Sequence, residues 1–295
     1  MVGSVRRNWR SVSHVHIIMV IIVVSSCRAA RVTRRPPSVR SMGAAQEVGG
    51  SETRVRLEVD GPIATITNDN VTKHNAFDDA MDARLFEILG ELRENPDVRA
   101  VVWRGEGRSW SSGRDVSAIG VPYTEEEHAA LMRRGHDGIQ QVWDLDAPVF
   151  VAIQGWAIGG SFQRALLCDV RVAAEDARFM LPELGHGVIP DTGGMGVLAQ
   201  LAGHGLVSDM VLTGRRLDAE EALRYGIVSR VVPNDELDAT VYGMAEQAAA
   251  ADPRAVAMAR QVVGNLLRPG LAASMADERT FQTRLNQERG RGDRP

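Results

Sequence analysis

Gln154-Gly155-Trp156-Ala157-Ile158-Gly159-Gly160-Ser161-Phe162-Gln163 follows directly on an apolar run and places adjacent glycines where that run gives way. Glycine has no Cβ, so the backbone here can approach a ligand closely and offer it N–H groups. The stretch ends on an amide, Gln163, which neither gains nor loses a proton near neutral pH. A tight strand-to-helix junction with no ligand is the plain alternative for the glycines.

Outward from this stretch the chain alternates between strand and helix patterns. Residues 54–59 alternate polar and apolar, Gly61-Pro62 turns the chain, and residues 63–67 continue as the second arm of a hairpin. Residues 78–94 place Met81, Leu85, Ile88, Leu89 and Leu92 at helical spacing, and Asn95-Pro96 stops them. Short apolar strands are predicted at 100–103, 148–153, 170–173 and 177–180, with a helix over 125–143. From Gly194 onward the pattern turns helical, with a strand at 227–232 and helices near 234–250, 252–267 and 271–288. Strand–turn–helix repetition followed by helices predicts an α/β core over 52–250 and a C-terminal helical region over 251–295.

Composition narrows the function classes. The first 46 residues hold eight arginines and no acid, leaving 26 basic against 38 acidic residues in the remainder. An acidic body of that kind argues against a nucleic-acid surface. The leader, with its apolar stretch from His14 to Val24, is read as lying outside the fold, with translation from Met42 and a cytoplasmic enzyme as the expectation. A signal-like or transit-like leader is the alternative, and the apolar stretch is too short to span a membrane. Two cysteines cannot build a disulfide framework, and no metal-binding spacing occurs among the seven histidines. Gly105-Glu106-Gly107 has Trp110 where a dinucleotide fingerprint needs its third glycine, and Gly159–Gln163 breaks the GxSxG serine elbow.

Four ordered segments remain. They are Lys73-His74-Asn75-Ala76-Phe77, Gly107 through Ser112-Gly113-Arg114-Asp115-Val116, the glycine-rich stretch, and Leu181-Pro182-Glu183-Leu184-Gly185 through Pro190-Asp191-Thr192-Gly193-Gly194. Together they resemble the crotonase (enoyl-CoA hydratase/isomerase) superfamily over about residues 52–270. The resemblance implies a crotonase-like ββα spiral core and a coenzyme A thioester substrate, with no separate cofactor and no metal. It also implies assembly as a homotrimer or a dimer of trimers.

The resemblance also assigns roles by position. An enolate builds negative charge on the thioester oxygen, and the N–H groups of Arg114 and Gly160 are the implied donors to it. Such a donor is worth about 3 kcal/mol of barrier. Asn75, Ala76, Ser112, Gly113, Asp115 and Gly159 are implied to line the substrate. Hydratases of the family use two glutamates, which align with Gln163 and Glu183, so Gln163 weakens the case for hydration and leaves an amide that orients water. Glu183 sits among apolar neighbours that would raise its pKa, and an N-cap or surface position is the alternative. Asp191 is either a second proton carrier, as in several double-bond isomerases of the superfamily, or the N-cap of a helix starting near Gly193. His186 lies in the same loop as a possible third participant. Double-bond isomerisation is the reaction expected first, with hydration and a weakly active acyl-CoA-binding homologue as alternatives.

Overall fold

Val55–Asp60 (β1) and Ile63–Asn68 (β2) form the expected antiparallel hairpin in a computed structural model that describes residues 54–118 and 123–290. The basic leader lies outside the described residues. The helix that follows, Asp79–Glu94 (α1), starts where the Asp78 carboxylate accepts the Met81 N–H at 3.0 Å. Its apolar face, Met81 through Leu92, is buried as the spacing predicted.

Parallel strands then add in turn: Ala100–Gly105 (β3), and, after the helix Glu125–Asp144 (α2), Val149–Ile153 (β4). The N-terminus of α2 is closed by a Thr124/Glu127 capping box, which satisfies N–H groups that have no partner within a helix. Trp156–Ile158 (β5) leaves the first sheet and runs straight into Gly159–Leu166 (α3). Val170–Ala174 (β6) returns to the first sheet, Arg178–Met180 (β7) leaves it again, and Gly194–Ala202 (α4) follows. His204–Thr213 (α5), Leu217–Asp218 (β8), Ala219–Arg224 (α6), Arg230–Val232 (β9), Leu237–Ala249 (α7) and Pro253–Gly290 (α8) complete the described chain.

The first sheet runs β1-β2-β3-β4-β6-β9 and the second β5-β7-β8. Strands β4/β5 and β6/β7 thus divide between two sheets, each pair followed by a helix. This is the ββα spiral the resemblance implied.

The central strands are buried on both faces. Val101 and Trp103 of β3 join the cluster under α1, α2 and α3, while Ala100 and Val102 face the other way, against Leu237, Val241 and Ala245 of α7. A strand covered on both sides reads as a continuous apolar run, which is why β3 and β4 were legible.

Two expectations change in detail. The strand near 227–232 begins only at Arg230, because the Ile227 N–H turns back to the Ala222 carbonyl (2.9 Å). The two last helices are one, α8, which continues through Pro269. A proline removes one helical hydrogen bond. Here Leu271 and Met275 just beyond it are buried in the main core, and Gly196 of α4 lies against the Gly270 carbonyl, so packing carries the helix past the break.

Candidate active site

The site forms where the β5–α3 junction meets the loop between β3 and α2. Ser111 pairs with Trp156 and Ile158 through backbone bonds of 2.9 and 3.1 Å. Gly113, at φ +92°, then lies so close to Ile158 that an added Cβ would stand 2.7 Å from its carbonyl oxygen. That contact brings the backbone at Arg114 beside the first turn of α3. Phe77 and Arg114 form a bridge in which the Phe77 N–H reaches the Gly113 carbonyl and the Asp115 N–H reaches the Phe77 carbonyl, both at 2.8 Å. The Arg114 N–H therefore faces away from the bridge. Gly160 sits in the first turn of α3, where N–H groups have no intrahelical acceptor and the helix dipole favours negative charge. The two predicted donors are thus neighbours on one rim.

Glu183 opens a 3₁₀ turn, Glu183–His186, and its carboxylate reaches back to this rim: Oε1 lies 3.2 Å from where a Cβ on Gly159 would be. Glycine at 159 is what lets it approach. Oε1 accepts the Gln163 amide N–H at 3.2 Å, while Oε2 is buried without a hydrogen-bond partner. Burial pushes the Glu183 carboxyl up to about 7, assisted by the charges of Asp191 and Glu278 and opposed by the Gln163 bond. It is neither an N-cap nor a surface carboxylate.

Asp191 is pushed up to about 6, mainly by burial and then by the negative charge of Glu278, with His136, Arg114 and Arg164 acting the other way. It does not cap α4. The N-cap residue is Gly193, in a left-handed conformation, and it makes no side-chain cap. The N–H groups of Thr192 and Gly194 go instead to Gln163 Oε1, at 3.0 and 3.2 Å.

Gln163 is therefore a clamp. Its fully buried amide ties the Asp191 loop to the Glu183 carboxylate, and the two backbone donors fix the oxygen on the loop side.

Several other predicted positions are engaged in holding the loop. Asn75, buried at φ +56°, uses both amide hydrogens on the carbonyls of Glu106 (2.9 Å) and Ser109 (2.7 Å). Ala76 is buried, and its carbonyl accepts the Asn70 amide. Ser112 donates to the Lys73 carbonyl at 3.0 Å. Asp115 is paired with Lys73, the only lysine in the chain, at 2.6 Å and also accepts from Ser117; these partners hold its carboxyl far below the usual range. These residues offer a ligand backbone or small surface, not free side-chain charge. His186 is exposed at the end of the Glu183 turn.

Sequence reasoning missed the groups behind the loop. The Arg114 side chain pairs with Asp79 and Asp82, and the buried Arg164 shares Asp82 at 2.7 Å while stacking over Phe77. His136, Glu278 and Gln282 contact the Asp191 loop from α2 and α8.

Two adjacent backbone donors on a ββα spiral, with an elevated carboxyl across from them, define a crotonase-fold acyl-thioester enzyme. A profile of the enoyl-CoA hydratase/isomerase family matches residues 58–292, and the chain belongs to that family. It is 38% identical over 209 residues to a carnitinyl-CoA dehydratase of Salmonella typhi, covering 70% of this chain and 79% of that protein. Its structure resembles an enoyl-CoA hydratase/isomerase from Xanthobacter autotrophicus Py2, with a TM-score of 0.74 at 27% identity, over 80% of this chain and 88% of the other. The fold is also that of an enoyl-CoA hydratase/isomerase from Mycobacterium paratuberculosis, with a TM-score of 0.75 at 23% identity, over 80% of this chain and 94% of that one. Among the described residues no helix is long and apolar enough to cross a membrane, and no cluster of His, Cys, Asp and Glu could hold a metal.

Proposed function

We propose that the protein shifts the double bond of an unsaturated acyl-CoA by moving protons at a thioester enolate. What supports this reading is the Gln163 amide joining the Glu183 carboxylate to the loop that carries Asp191, two carboxyls that burial pushes up to about 7 and about 6, with an amide at 163 that cannot ionise.

Ionised Glu183 removes a proton from C2 of a 3-enoyl-CoA. The electron pair delocalises onto the thioester oxygen, where the Arg114 and Gly160 N–H groups receive the charge. Asp191, or Glu183 now protonated, returns a proton at C4, and the double bond re-forms between C2 and C3. One proton leaves the chain and one returns, so no water and no cofactor is consumed; coenzyme A enters only as part of the substrate.

Dehydration of a 3-hydroxyacyl-CoA, or its reversal, is the second reading, favoured by the 38% identity to a carnitinyl-CoA dehydratase. Glu183 would again take the C2 proton, while Asp191 would protonate the departing hydroxyl.

Glu183→Gln and Asp191→Asn, assayed on 3-enoyl-, dienoyl-, 2-enoyl- and 3-hydroxyacyl-CoA, test both. Isomerisation predicts that Glu183→Gln abolishes turnover of the 3-enoyl ester. Undiminished turnover in both variants would sink the two-carboxyl scheme.

A further inference from the structure

The loop that carries Asp191 is gripped from behind by groups that play no part in the proposed chemistry. His136, buried on α2, lies 2.8 Å from the Asp191 carbonyl oxygen through Nε2. Arg279 stands 3.1 Å from His136 Nδ1; a guanidinium can only donate, so Nδ1 accepts and Nε2 carries the hydrogen given to Asp191. Glu278, buried on α8, accepts the Gly193 N–H at 2.8 Å on Oε2 and the Ser274 hydroxyl at 2.6 Å on Oε1. One helical turn on, Gln282 accepts the Ile189 N–H at 3.1 Å. Backbone groups at 189, 191 and 193 are thus each held by a side chain from α2 or α8.

We infer that Glu278 is a positioning residue for Asp191. With His136 it fixes the backbone on both sides of Asp191, and it sets a buried negative charge within electrostatic reach of that carboxyl. The inference rests on Asp191 acting as a proton carrier. It adds that the C-terminal helix, outside the ββα core, sets the pH at which Asp191 works.

The charge balance around Asp191 supports this. From α8 comes Glu278; from α2, His136; from the loop before α2, Arg114; from α3, Arg164. Arg279 turns to His136, and Asp82 neutralises part of the charge on Arg114 and Arg164. Glu183 across the site is coupled to Asp191 by like charge, and His136 Nε2 stands 3.4 Å from Glu278 Oε2; of the groups behind the loop, Glu278 is the one whose negative charge opposes ionisation of Asp191.

Glu278→Gln isolates the effect, because an amide oxygen still accepts the Gly193 N–H while the charge is gone. The assay is a ¹³C-carboxyl NMR titration of the full chain, with the Asp191 resonance assigned through Asp191→Asn. The expected result is a fall in the Asp191 midpoint by about one pH unit, with the matching limb of the kcat–pH profile moving acidward and KM little changed. An unchanged midpoint in a folded variant overturns the inference. Should Glu278→Gln not fold, deuterium exchange of the wild-type protein tests the grip itself. The Ile189 and Gly193 amides should exchange far more slowly than that of exposed Leu184, and equal rates overturn the inference. The NMR midpoint and the exchange rates need no turnover, so a failure of the isomerase reading is separately visible as wild-type enzyme that adds or removes water.

Discussion

Replacing Glu183 by glutamine should make the protein more stable, and increasingly so as the pH rises. Burial moves this carboxyl from the 4.5 of a free glutamate to about 7, so the folded state holds its proton more tightly than the unfolded chain. The stability associated with that proton is fully present below 4.5 and is lost as the pH climbs through 7. At about 1.4 kcal/mol per pH unit, the ionised side chain disfavours the fold by about 3 kcal/mol at pH 8.5 but by only about 0.8 kcal/mol at pH 5. Glutamine keeps the volume, and its Oε1 can still accept the Gln163 amide, so the substitution removes the charge and little else. Urea melts of the wild type and Glu183→Gln at the two pH values check this. A gain of about 2–3 kcal/mol at pH 8.5 that mostly vanishes at pH 5 is expected, equivalent to roughly 5–10 °C in Tm for a chain of this size. No gain at pH 8.5, or the same gain at both, would refute the burial argument.

Turnover in the wild type should rise with pH as Glu183 ionises through about 7, the apparent value belonging to the coupled Glu183–Asp191 pair; a kcat/KM profile reads it directly. Gly113→Ala forces a Cβ against the Ile158 carbonyl at a φ of +92°, displacing the Arg114 donor. Steady-state kinetics should show turnover down by about 10²–10³-fold, the loss typical of one oxyanion donor. Gln163→Glu puts a second carboxyl 3.2 Å from Glu183 Oε1, so the activity optimum should move to higher pH and water addition to 2-enoyl-CoA should appear or increase. Phe162→Ala empties a fully buried position packed on Phe179 and should destabilise the fold by about 3–5 kcal/mol in chemical denaturation.

What was legible in the sequence follows from how local each signal is. The β1–β2 hairpin and α1 announce themselves because one face of each meets the core and the other meets solvent, giving clean periods of two and of 3.6. The glycines at 113, 159 and 160 marked the donor rim because close backbone approach admits little else. Gln163 was recognised as an amide in place of a carboxylate, but its grip on the Thr192 and Gly194 N–H groups depends on α3 and the Asp191 loop meeting in space. The contribution of α8 was least visible: Pro269 suggested two helices, and Glu278 looks like a solvent-facing acid until the helix is laid across the loop.

The central claim is that Glu183 and Asp191 carry protons while Gln163 holds them in place. Its most direct test is turnover of a 3-enoyl-CoA in ¹⁸O-labelled, deuterated water with mass analysis of the first product. The expected first product is a 2-enoyl-CoA whose double bond has moved, free of ¹⁸O. A first product carrying ¹⁸O at C3, formed at the rate of substrate loss, would contradict it.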